Sequence, residues 1–63
     1  MEAHELILDI IRDVETMMEL EEKNEAQIPK ENHKERIKSV SLIMGYIKTL
    51  SYLQEKAKEV KND

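Results

Sequence analysis

Apolar residues recur every third or fourth position in two stretches of this chain, and a break marked by Pro29 divides them. In the first stretch Ala3, Ile7, Ile10, Val14 and Met17 form a stripe at helical spacing, widened by Leu6, Ile11, Met18 and Leu20. Asp9, Arg12, Thr16, Glu19 and Lys23 fall on the opposite side. The spacing predicts a helix over about 3–24. Leu8 lies outside the stripe and is expected at the surface or at an oligomer edge, while Asp13 and Glu21 are expected at its margin.

The second stretch carries Val40, Ile43, Ile47, Leu50, Leu53 and Ala57, extended on one side by Leu42, Tyr46 and Val60 and on the other by Ile37 and Met44. It predicts a helix over about 33–60, with Lys58 to Asp63 fraying. Between residues 37 and 53 the apolar arc exceeds half the circumference. One partner helix, about 10 Å wide, cannot cover that arc. The connection is expected over about 25–32. Pro29 disfavours helical geometry at Ile28, Ile28 is placed at the end of the core, and Asn32 followed by Glu35 has the spacing of a capping box. Short connections favour antiparallel neighbours. The expected fold is therefore all-α: an antiparallel helical hairpin, one domain spanning 1–63, associating as a homodimeric four-helix bundle.

Charge sharpens this picture. Residues 1–28 hold nine acids against two bases, and residues 29–63 hold five acids against eight bases, so halves of −7 and +3 make up the net −4 of an acidic chain. Opposite signs favour folding one half against the other, although an exposed ion pair contributes only about 0–1 kcal/mol. Burial of Ile, Leu, Val and Met, at roughly 1.5–3 kcal/mol each, supplies most of the stability. The chain has 63 residues and no cysteine. A domain this small buries only about 60% of its unfolded surface, and without disulfides oligomerisation is the expected support. Absence of cysteine fits a reducing, cytoplasmic setting. The start of the chain is acidic, unlike a signal peptide, and the longest apolar run is broken by Lys48, too short to span a bilayer.

Little in the sequence suggests catalysis. His4 and His33 lack an acid or a second histidine at helical spacing, so no metal is expected, and neither is a cofactor. Ser39, Ser41 and Ser51 have no histidine at helical spacing, and the acidic pairs on the first helix are those of a solvated face. The expected function is non-enzymatic: a small interaction or regulatory protein that binds itself and another protein. Ile7, Ile10, Val14, Met17, Val40, Ile43, Ile47 and Leu50 are the expected core and oligomer interface. A candidate partner-binding face runs along the second helix through Lys34, Lys38, Ser41, Gly45, Lys48, Tyr52 and Lys56. Its lysines and tyrosine also support a rival reading as an RNA- or DNA-binding regulator. A structural subunit of a larger complex is the third reading.

Overall fold

The computed structural model describes residues 2–62, with side chains over 2–60. The chain is all-helical. Helix α1 spans Ala3–Gln27 and helix α2 spans His33–Asn62, and the two pack along their length as a hairpin. Asp63, the last of the residues expected to fray, lies outside the described residues.

Both helices extend past their expected ends. Glu25, Ala26 and Gln27 continue α1 beyond Asn24 because nothing in them opposes helical geometry. The stop comes from Pro29, which forces its predecessor out of the helical region: Ile28 adopts φ −73°, ψ 128° and donates its amide to the Glu25 carbonyl at 3.1 Å. In the connection, the Asn32 amide donates to the Pro29 carbonyl at 3.0 Å. That bond uses the donor which a full capping box would offer to Glu35. Only one half of the box forms, the Glu35 amide reaching Asn32 Oδ1 at 3.5 Å, while the Glu35 carboxylate turns to Lys38 at 3.7 Å.

The seam between the helices follows strict alternation of three and four residues. On α1 it runs through His4, Ile7, Ile11, Val14, Met18, Glu21 and Glu25, ending on Ile28. On α2 it runs through Arg36, Ser39, Ile43, Tyr46, Leu50, Leu53, Ala57 and Val60. All of these are buried or half-buried. This is the heptad pattern of a two-stranded antiparallel coiled coil. Two polar contacts near the connection set the register: Ser39 with Glu21 and Arg36 with Glu25. Counting by heptad from them places Met18 level with Ile43, Val14 with Tyr46, Ile11 with Leu50 and Ile7 with Leu53. The apolar cluster agrees, with Ile11, Leu50 and Ala57 at its centre and Ile7, Leu8, Val14, Met18 and Leu53 packed around them.

This seam differs in part from the stripes expected above. On α1 two overlapping stripes share Ile7 and Val14; one continues through Ile10 and Met17, the other through Ile11 and Met18. The hairpin uses the second, which lets Glu21 and Glu25 reach Ser39 and Arg36. Leu8 adjoins that seam and is half-buried against the core, not at the surface. Glu21 sits within the seam instead of at a margin. Ile7, Val14, Ile43 and Leu50 line the seam, whereas Ile10, Met17, Val40 and Ile47 remain exposed on the single hairpin.

Candidate interaction surface

The hairpin is a slender rod of 50 × 16 × 10 Å with a radius of gyration of 14.7 Å, against about 11 Å for a compact domain of this length. It exposes 5103 Å². A compact monomer of this size exposes roughly 4200 Å². Among the described residues only Ile11, Leu50 and Ala57 are buried apolar side chains, and no large side chain is fully buried.

The exposed apolar residues are ordered. On α1 Leu6, Ile10, Met17 and Leu20 share one flank, interrupted by Asp13. On α2 Ile37, Val40, Met44 and Ile47 share another, followed at the same spacing by Ser51 and Gln54. That α2 flank carries no charged residue from Ile37 to Gln54. The heptad seam fixes where these flanks point. In an antiparallel pair, residues directly after the second core position of each heptad lie on one broad side of both helices, and residues directly before the first lie on the other. The first side therefore shows Leu8, Glu15 and Glu22 of α1 beside Val40, Ile47 and Gln54 of α2, with Ile37 and Met44 further out. The second side shows Ile10 and Met17 of α1 beside Leu42, Thr49 and Lys56 of α2, with Leu6, Leu20 and Tyr52 further out. Each helix thus offers its apolar flank to a different broad side. A shallow depression lined by His33, Arg36, Ile37, Val40 and Ser41 opens at the start of the α2 flank.

Few of the charges neutralise one another across the seam. Of the five ion pairs among the described residues, only Arg36–Glu25, at 3.3 Å, joins the two helices; Arg12–Asp9, Lys38–Glu35, Lys56–Glu59 and Lys58–Glu55 are local to one helix. Glu15, Glu22, Lys34 and Lys48 take part in none of them. The opposite signs of the two halves are thus largely unspent inside the hairpin.

The seam's polar end is tightly built. The Ser39 hydroxyl, 3% exposed, donates to Glu21 Oε2 at 2.6 Å, and the Asn24 side-chain amide donates to the same oxygen at 2.8 Å. The hydrogen bond from Ser39, and then that from Asn24, hold the Glu21 carboxyl below its ordinary 4.5, against a smaller opposing effect of burial. A lowered carboxyl contributes stability above its unfolded value, and that contribution is lost as pH falls through the folded value. Acid titration followed by circular dichroism is therefore expected to show stability declining below about pH 4.5. Ser39→Ala is expected to flatten the Glu21 share of that decline.

The candidate partner face lies on the back of α2. Lys34, Lys38, Ser41, Gly45, Lys48 and Tyr52 are exposed, and Lys56 is half-buried. Glu35 and Glu59 of the same helix hold Lys38 and Lys56. The hydrogen bond and charge of Glu59, with a smaller contribution from Tyr52, push the Lys56 ammonium up from its ordinary value. Its nitrogen also lies 5.5 Å from the centre of the Tyr52 ring. The Thr49 hydroxyl donates to the Gly45 carbonyl at 2.9 Å, so it is satisfied within its own helix. A Cβ at Gly45 would meet nothing within 4 Å. Gly45→Ala is accordingly expected to raise stability by about 1 kcal/mol, read as an upward shift of the thermal midpoint. Among the described residues no three His, Asp or Glu side chains cluster as a metal site requires. No described helix is long and apolar enough to cross a membrane.

Protein-family models, curated proteins and solved structures give no match to this chain.

Proposed function

We infer that this chain is a small cytoplasmic interaction protein, working as a homodimeric four-helix bundle and binding another protein without catalysing a reaction. The observation that carries this reading is the imbalance between core and surface. Among the described residues three buried apolar side chains make a thin core, while Leu6, Met17, Leu42, Met44 and Ile47 stand half-exposed or more along the two helices. Scattered apolar side chains on a surface are ordinary, but ordered flanks along both helices are the mark of interfaces. A second copy covers one broad side, and the other remains for a partner of different sequence. Lys38, Gly45, Tyr52 and Lys56 lie on or beside that second side.

The same face favours protein over nucleic acid. Two of its four lysines already have carboxylate partners on their own helix, Tyr52 lies against Lys56, and the acidic α1 would repel nearby phosphates.

Sedimentation equilibrium across a dilution series, with circular dichroism in parallel, tests the reading. The expected result is a dimer whose helicity falls as it dissociates. A stable, fully helical monomer at low micromolar concentration overturns it. The folded dimer, used as bait in its native host, is expected to retain a protein partner through washing at high salt. Release by salt or nuclease would favour the nucleic-acid reading.

A further inference from the structure

We propose that the second copy docks on the uncharged flank of α2, about a twofold axis parallel to the helices, so that the two α2 helices lie centrally in parallel and each α1 lies outside, against its partner's α2. This rests on the dimer inferred above and specifies its interface. The second copy is favoured as occupant by area and by charge. A standard interface buries about 800 Å² per partner. That is close to the roughly 900 Å² by which the hairpin exceeds a compact monomer of its size.

The apolar term decides which helices meet. Val40 and Ile47, next to the seam, are 42% and 50% exposed on the single hairpin, and Met44 is 55% exposed. Packing α2 on its copy sets apolar against apolar. Packing the first broad side of α2 on that side of α1 would instead press Glu15 and Glu22 against the apolar flank. Methylene burial outweighs exposed ion pairs, so α2 meets α2.

Charge then decides orientation. An axis perpendicular to the helices would bring Glu15 and Glu22 of α1 over the same residues of the second copy. The parallel axis instead brings α1 beside the outer edge of the second copy's α2, where Lys34 and Lys48 stand. A rotation about that axis preserves height, and the hairpin register puts Lys48 about 4 Å along the axis from the level of Glu15. Among the described residues these four charges make no ion pair within the hairpin. The arrangement also accounts for the unequal apolar arcs. Central α2 touches three helices and carries the wider arc, while outer α1 touches two.

The sequence contains no cysteine, so single introduced thiols report the geometry cleanly. With parallel α2 helices, residue 47 lies next to its own copy; with antiparallel ones, centred between Val40 and Met44, the two copies of residue 47 lie about 15 Å apart. The test oxidises Ile47→Cys and, separately, Met17→Cys, each with a denatured control, beside sedimentation of the unmodified chain. Both positions are half-exposed on the single hairpin, so neither substitution threatens its fold. Near-complete disulfide-linked dimer for Ile47→Cys, and only the level of the denatured control for Met17→Cys, is the expected result. Lys48→Glu is expected to weaken dimerisation several-fold, and adding Glu15→Lys to restore it. Linkage through Met17→Cys alone would move the interface to the other broad side, overturning this proposal and leaving the dimer standing. Linkage through neither, with a dimer still sedimenting, would overturn the parallel arrangement. Linkage through both would mean assembly through two faces and would overturn the single interface. A monomer in sedimentation would remove the dimer itself.

Discussion

Leu50→Asp is expected to abolish the cooperative helical fold at room temperature. Leu50 is 8% exposed and sits at the centre of the apolar cluster with Ile11 and Ala57. The register brings no cation to its level of the seam, so a carboxylate there would be buried without a partner. Breaking charge balance in a core costs several kcal/mol. At about 0.05–0.15 kcal/mol per residue, a chain of this length has only about 3–9 kcal/mol to lose. The milder Leu50→Ala removes about 2–5 kcal/mol by leaving a cavity, and is expected to lower the thermal midpoint without unfolding the protein at low temperature. Circular dichroism at 222 nm distinguishes the two. A Leu50→Asp variant with unchanged helicity and midpoint would mean that this seam is not the core.

The two helices and their break were legible in the sequence because each has a local physical cause. Periodicity marks the helices, and Pro29 acts on Ile28 whatever surrounds it. The end of α1 lies beyond the expected Asn24 because Glu25, Ala26 and Gln27 look like loop only through their nearness to Pro29. The seam was harder to read. The apolar arc of α1 holds two overlapping stripes, and only the partner helix can choose between Ile10 and Ile11 or between Met17 and Met18. On α2 the most buried side chain of all is Ser39, a polar residue that a search for apolar positions passes over. Stepping back from Ile43 at heptad spacing finds Ser39 and then Arg36, and this was the available signal. Val40 and Ile47 belong to the main stripe by spacing, yet the hairpin leaves both half-exposed. A pattern of apolar positions does not say which of them the same chain buries. The candidate partner face was legible as a face, since its members do share the back of α2, but its charge state was not. That Glu35 and Glu59 hold two of its lysines depends on rotamers.

The double variant Glu21→Leu with Ser39→Ala is expected to raise the thermal midpoint by several degrees. Ser39 and Glu21 form a polar layer in an otherwise apolar stretch of seam, joined by the 2.6 Å hydrogen bond. Replacing a part-buried, mutually satisfied polar pair with apolar residues of similar total volume is often stabilising, whereas replacing one member strands the other. Ser39→Ala alone is therefore expected to lower the midpoint, because the Glu21 carboxylate would lose the hydroxyl that donates to it. A double variant less stable than both single variants would show that the layer adds more to stability than apolar packing could. The native layer also has a second effect. A polar pair in a heptad seam fixes register, since any slip by a heptad separates the partners. Arg36 and Glu25, one layer nearer the connection, reinforce the same alignment at 3.3 Å. Without the Ser39–Glu21 bond the apolar seam continues through the next layer, and alternative alignments, including helices exchanged between copies, become closer in free energy. Sedimentation of the double variant is expected to show a broader distribution of species than the parent at equal concentration, even as the thermal midpoint rises.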